Sequence, residues 1–181
     1  MALPSTLHNF EIDLSDTERG VYQTLALKVA RHPSETEEFL VTRVLAYCLE
    51  LTDGISFSKG LAEPDEPALS VRDLTGALTA WIEVGAPDAD RLHKASKAAP
   101  RVVVYTHKDA RQLIRSLSGR RIHRAEAIEL YALDRELVAA IAARLERRMT
   151  LALSVADRHL FVTIGEDALQ GSVERLELSD A

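Results

Sequence analysis

Leu78-Thr79-Ala80-Trp81-Ile82-Glu83-Val84-Gly85, a segment opening at Ala86-Pro87-Asp88 and running to about Ala99, then Arg101-Val102-Val103-Val104-Tyr105-Thr106: this stretch decides the fold. The last six residues are an almost unbroken apolar run, the mark of a strand buried on both faces at a sheet centre. Pro87 suits the first turn of a helix, where its missing N–H is no loss. Residues 78–106 therefore read as strand–helix–strand. The crossover makes the two strands parallel and is expected to be right-handed.

Working upstream, Leu69 to Leu74 and Leu78 to Val84 read as paired strands about Thr75-Gly76, and Asp53-Gly54 turns into a short strand, Ile55-Ser56-Phe57. Pro33 to Glu38 opens a helix, with Ser34 as N-cap and acids in the first turn to suit the dipole. Phe39, Leu40, Val44, Leu45, Cys48 and Leu49 follow as a broad apolar stripe, so Cys48 reads as packing rather than as a reactive thiol. Leu7, Phe10, Ile12 and Leu14, then the period-two run from Val21 to Val29, predict a hairpin around the turn from Ser15 to Gly20. Downstream, a helix is expected over Asp109 to Leu117, a strand over Ala127 to Tyr131, and a helix capped by Asp134 through Arg147. Met149 to Leu178 returns to strand character, with turns at Asp157-Arg158 and from Gly165 to Gly171. The fold class is α/β, a mixed β-sheet flanked by helices.

The chain has 181 residues and 20.0 kDa, enough for one domain spanning residues 1–181. Its 22 basic and 28 acidic residues give a net charge of −6, which excludes coating nucleic acid by bulk charge but leaves room for a local basic face. No apolar run approaches the ~18–20 residues of a membrane span. Met1 to Phe10 lacks the basic and apolar regions of a secretion signal. The single cysteine excludes a disulfide within the chain and a multi-cysteine zinc site. The expectation is a soluble, cytoplasmic protein with no membrane partner.

Chemistry is sought first at Glu83. Period two places Trp81 and Glu83 on one side of their strand, Ile82 and Val84 on the other. A carboxylate near the end of an interior strand must be solvated, paired or metal-bound, and strand carboxyl ends are where α/β folds place sites. Glu35, Asp65, Glu66 and Asp73 are further oxygen donors of the kind Mg²⁺ requires. Asp73 reads equally as a turn-stabilising side chain, Glu35 as helix-dipole compensation. If Thr75-Gly76 is a two-residue turn, Asp73 pairs with Leu78, about 16 Å of strand from Glu83. Glu83 then lies opposite Ala68, which brings Asp65 and Glu66 nearer. Residues 35–66 hold eight acids against two bases, and residues 101–124 seven bases against one acid. An acidic pocket beside the basic flank of Arg111, Arg115, Arg120 and Arg121 would suit a metal with a phosphodiester. His107 and His123 lie in loops near that flank.

Several segments together resemble one bacterial family. Ala30-Arg31-His32-Pro33-Ser34-Glu35-Thr36, Asp65-Glu66-Pro67, Asp73-Leu74-Thr75-Gly76, Trp81-Ile82-Glu83-Val84-Gly85, Pro87-Asp88 and Met149-Thr150-Leu151 look like the YaeQ family, in order from about residue 2 to residue 178. The resemblance implies a compact, restriction-endonuclease-like variant of the PD-(D/E)XK nuclease fold. It implies Mg²⁺ as cofactor and DNA or RNA as partner. It also implies a metal set of Glu35 (helix acid), Asp65 (second acid, with Glu66 or Asp73 as alternates) and Glu83 (strand acid), brought within reach of one ion, on the order of 4–7 Å between Glu35 and Glu83. The motif lysine two residues after the strand acid is replaced by Gly85. Lys94 or Lys97 on the following helix could supply that cation, Lys94 being the better match. The functional expectation is a Mg²⁺-dependent nuclease-like protein with Glu35, Asp65, Glu83 and Lys94 as catalytic residues. The alternative is an inactive nucleic-acid or protein-binding module on the same fold.

Overall fold

The structure is a computed structural model and describes residues 4–58 and 65–178. The chain opens with an antiparallel hairpin, β1 (Thr6–Asp16) and β2 (Val21–Arg31), paired over its whole length from Thr6↔Arg31 to Asp16↔Val21. Helix α1 (Glu37–Leu49) follows. Its cap is Thr36, whose hydroxyl accepts from Phe39 N, and not Ser34, whose hydroxyl is instead hydrogen-bonded to His32 Nδ1. Strands β3 (Ile55–Phe57), β4 (Leu69–Arg72) and β5 (Leu78–Val84) form an antiparallel meander, α2 (Ala89–Ala98) crosses over, and β6 (Arg101–Thr106) runs parallel to β5. Helix α3 (Ala110–Leu117), β7 (Glu129–Leu133), α4 (Arg135–Ala142), β8 (Arg148–Ala156), β9 (His159–Ile164) and β10 (Asp167–Leu176) complete it.

The described strands form one mixed sheet in the order β2-β1-β8-β9-β10-β7-β6-β5-β4-β3. Strand β10 joins its halves: Asp167 to Ser172 pair with β9, and Val173 to Leu176 with β7. Gly171 is therefore not part of a turn. It lies in β10 under α4, where a Cβ would come 2.7 Å from Asp134 Cβ and 2.8 Å from Leu137 Cβ, so only glycine lets the helix lie this close. The strand expected at Ala127 to Tyr131 begins at Glu129, because Ala125–Ala127 form a 3-10 turn. Helix α4 ends at Ala142, short of Arg147: Arg144 N and Leu145 N bond three residues back, and Arg144 turns to pair with Asp167.

Helix α1 is buried almost all round, from Leu40 through Ala46 and at Cys48, the pattern of a core helix rather than a surface one. Its apolar residues share a core with both halves of the sheet, Phe10, Ile12 and Leu153 from one and Ile82, Val84 and Val103 from the other. A second core, on the opposite face of β5 and β6, joins Trp81, Val102 and Val104 to Leu92 and Ala95 of α2 and Leu113, Ile114 and Leu117 of α3. The sheet thus wraps α1 and leaves α2 and α3 outside. At the seam between the terminal strands sits Arg43 of α1. Its Nη2 donates to the carbonyl of Ala30 on β2 (2.8 Å), and its guanidinium lies 5.9 Å from the ring of Phe57 on β3. Glu35 holds it in place with two short bonds, to Nε (2.7 Å) and Nη2 (2.9 Å).

Both partners of that ion pair are almost fully buried. Removing one leaves an uncompensated charge, which costs about 3–5 kcal/mol, whereas replacing both with apolar groups of similar volume costs far less. Glu35→Gln should therefore lower unfolding stability by about that amount in urea titration, and Glu35→Leu combined with Arg43→Met should recover most of it. A single-variant loss below about 1 kcal/mol would contradict the seam role.

His107, at the carboxyl end of β6, is 9% exposed and packs edge-on against Phe39. Burial, with Lys108 beside it, pushes its imidazole down from 6.5 to about 4. As pH falls through this window the unfolded chain takes up the proton first, so stability is full above about 6.5 and declines toward 4. The loss should be on the order of 3 kcal/mol at most. His107→Gln should flatten this part of the pH–stability profile, measured by urea unfolding at neutral and acidic pH.

Candidate functional site

Glu83 and Trp81 do share a side of β5. The Trp81 indole Nε1 donates to Glu83 Oε1 at 2.6 Å, so this buried carboxylate is partly satisfied by its own strand. Its other oxygen accepts from Arg91 Nε at 2.7 Å. Arg91 lies in the first turn of α2, which Asp88 caps by accepting from Arg91 N. The same guanidinium lies 5.8 Å from the Trp81 ring and donates from Nη2 to the backbone carbonyl of Glu66 at 2.6 Å. One helical turn on, Lys94 pairs with the Asp65 carboxylate, and that contact, helped by Arg91, holds the exposed Asp65 carboxyl below its ordinary range. Three of the sequence-derived residues, Asp65, Glu83 and Lys94, therefore gather on the outer, α2 side of the sheet. Arg91 spans the gap between Glu83 and the loop that bears Asp65.

Arg91 had no place in the sequence reading. The signal was available: it stands three residues before Lys94, and side chains at that spacing share a helix face. Lys97 is exposed in the last turn of α2 and forms no ion pair with Asp65 or Glu83. The β4–β5 register matches the sequence expectation at its upper end, with Leu69 opposite Ile82 and Ser70 opposite Trp81. It slips between Val71 and Arg72. Asp73 is confined to the far turn, where its carboxylate accepts from Thr75 N, Thr75 Oγ1 and Ala77 N.

Glu35 does not join this group. Its carboxylate is bonded to Arg43 on the α1 side of the sheet and accepts from His32 N, whereas Glu83 faces α2. Burial pushes the Glu35 carboxyl up, and Arg43 beside it pulls the other way. The expected approach of Glu35 to Glu83 is thus not formed: the turn before α1 hands Glu35 to Arg43, while Glu83 is held by Trp81 and Arg91 on the α2 side. Among the described residues no group of three or more His, Cys, Asp or Glu side chains is placed to hold a metal ion. At Gly85, where the family resemblance implies a lysine in related nucleases, φ is +93°, a left-handed conformation, and a Cβ would sit 3.2 Å from the Phe39 ring, so a side chain there would be strained.

The basic flank is smaller than its residue count suggests. Arg111 and Arg115 on α3, with Arg120 and Arg121 just after it, are all exposed. Arg124 turns inward to the carbonyls of Ser96 and Ala99, at the end of α2. Arg101 is held between Glu50 and Glu129. The four exposed arginines, on and just after α3, lie on the same outer side of the sheet that Glu83 faces, since α2 and α3 share one core.

A polar cleft of about 540 Å³, which no motif marks, lies at the open end of the curled sheet, where α1 ends. Its wall includes Glu50, Arg101, Tyr105 and Tyr131. Tyr105 donates to Glu50, Tyr131 donates to Glu129, and the two rings stack at 5.2 Å. Burial works against the charge of Arg101, but the hydrogen bonds it donates to Glu50 and Glu129, with their negative charge, outweigh it and raise its pKa.

Among known proteins, the chain is 29% identical to the Escherichia coli (strain K12) protein named "Uncharacterized protein YaeQ" over 171 residues, 94% of each chain, and equally so to its Shigella flexneri counterpart. The crystal structure of YaeQ protein from Pseudomonas syringae superposes with a TM-score of 0.86 at 31% identity, covering 97% of both chains. That of YaeQ protein from Xanthomonas axonopodis pv. citri gives 0.81 at 28% identity, covering 96% of this chain and 98% of the other. The family described as YaeQ protein matches residues 1–173, and the chain belongs to the YaeQ family.

Proposed function

We propose that the chain is a nuclease-like phosphodiester-handling protein, with its site on the α2 side of β5 and nucleic acid as partner. The observation that carries this reading is the buried Glu83 carboxylate, joined through Arg91 to the loop of Asp65, with Lys94 alongside. A mixed sheet flanked by helices suits the restriction-endonuclease-like architecture that the family resemblance implies. Mg²⁺ is commonly held by one or two carboxylates, the remaining positions going to water and substrate phosphate. Glu83 and Asp65 fit that donor set, provided they exchange their present partners Arg91 and Lys94. Bound there, Mg²⁺ would supply an acidified water and charge neutralisation on phosphate. Lys94, once released from Asp65, would be available to stabilise negative charge developing on phosphate, the role that a lysine at Gly85 would otherwise fill. Trp81 keeps Glu83 oriented through its indole N–H.

A binding-only reading is favoured by the same Gly85 and by the ion-paired state of both acids. The two readings separate experimentally. Glu83→Gln should abolish Mn²⁺ binding seen by water-proton relaxation. Lys94→Ala should leave Mn²⁺ binding within about threefold and remove any cleavage of DNA or RNA, by about 10²-fold or more. Mn²⁺ binding without cleavage in the wild type selects the binding-only reading, and absence of both metal and nucleic-acid binding overturns the proposal.

The exposed arginines of α3 should carry the phosphate contacts. Arg111→Glu with Arg115→Glu should weaken binding to single- and double-stranded oligonucleotides at least tenfold and flatten its dependence on salt. Affinity unchanged by the reversal, measured by fluorescence anisotropy across a salt series, would remove this face from the interface.

A further inference from the structure

The cleft at the open end of the sheet is remote in role from Glu83 and uses none of its partners. Pockets at the mouths of curled sheets, lined by a few convergent polar groups, are common ligand sites. Three carboxylates line this one, and all are occupied. Asp16 accepts from the backbone N–H of Glu18 and Arg19, Glu18 from that of Arg158, and Glu50 from Arg101 and Tyr105. Four guanidiniums line it as well, and two of these are occupied: Arg101 by Glu50 and Glu129, and Arg19 by the carbonyls of Leu49 and Leu51. The spare hydrogen-bonding capacity belongs to Arg158 and Arg175. The Arg158 side chain forms no hydrogen bond or ion pair among the described residues. Arg175 reaches Glu177 only at 3.8 Å and rests over the Tyr131 ring at 5.9 Å. In a chain of net charge −6, this wall carries one guanidinium without a side-chain partner among the described residues, Arg158, and one held only by a long ion pair and a ring, Arg175.

The backbone beneath Arg158 supplies a second observation. Asp157 and Arg158 form the tight β8–β9 turn with φ of +51° and +58°. Such turns favour Asn or Gly, and an arginine there is held in a costly left-handed conformation. Strain of this kind clusters where a side chain is needed in a fixed place. The turn is fixed against the cleft wall from both sides: the Glu18 carboxylate accepts from Arg158 N, and the Arg158 carbonyl accepts from Val173 N at 2.9 Å, two residues before Arg175 on β10.

We propose that this cleft binds a small phosphomonoester, clamped through its phosphate by Arg158 and Arg175 above the Tyr105–Tyr131 shelf. Guanidinium forks match phosphate oxygens in paired geometry and bind them more strongly than neutral donors do. The test uses the full chain, with inorganic phosphate and a nucleoside monophosphate as probes and acetate as the carboxylate control, read by calorimetry and thermal unfolding. Both phosphates should bind and raise the unfolding midpoint, and acetate should do neither. Arg158→Asn should weaken phosphate binding at least tenfold while keeping or raising the midpoint without ligand, because asparagine suits the left-handed turn. Arg175→Gln should weaken it severalfold, and Glu83→Gln should leave it unchanged, which separates this site from the proposed nuclease-like one. The proposal is overturned if the wild type ignores both phosphates, if acetate binds as well as phosphate, or if Arg158→Asn binds as the wild type does.

Discussion

The fold turns on one buried ion pair. The ten described strands, wrapped about α1, leave two ends that must be reconciled, and Arg43 reaches both, bonding Ala30 on β2 and lying over Phe57 on β3. Glu35 makes that possible, since a guanidinium in this apolar setting needs a carboxylate in two-point contact. The pair also explains why α1 can carry a charge on a helix otherwise surrounded by core. Everything facing the α2 side, including Glu83, depends on α1 filling the other side of β5 with the contacts of Ile82 and Val84.

Much of the architecture was legible because it follows from pattern. The apolar run Arg101 to Thr106 announced the sheet centre, and the alternation from Val21 to Val29 the hairpin. The misplacements have local causes. Ser34 lost the capping role to Thr36 because its hydroxyl is drawn to His32, and Gly171 reads as a turn residue by type although it serves helix–sheet contact. Nothing local in the sequence could reveal that β1 pairs in parallel with β8, or that β10 changes partner at Val173, because both are decisions of the whole sheet.

The site was legible residue by residue but not as a set. Alternation put Glu83 beside Trp81, and the β4–β5 register drew Asp65 near it. Glu35 falls outside the set because nothing in a motif shows that the carboxylate of a turn residue will be claimed by an arginine on the helix that follows. Its real partner, Arg43, lies two helical turns downstream in a stripe read only for apolar residues. The arginines of residues 101–124 show the same limit. A count cannot distinguish Arg111 and Arg115, which face water, from Arg101 and Arg124, which are absorbed by carboxylates and helix-end carbonyls.

The parallel pairing of β1 with β8 bears on how the chain is made. His8 at the start meets Glu146 across 138 residues, so a ribosome must release most of the polypeptide before the first strand finds its second neighbour. Until then the β1–β2 hairpin has only α1 to lean on, with an open edge along β1, and a two-stranded ribbon is marginally stable in water. Contacts so distant in sequence slow folding and prolong exposure of pairing edges. The nascent N-terminal hairpin is thus the segment of this protein with the longest wait for shelter, and the one on which a chaperone that shields strand edges would act.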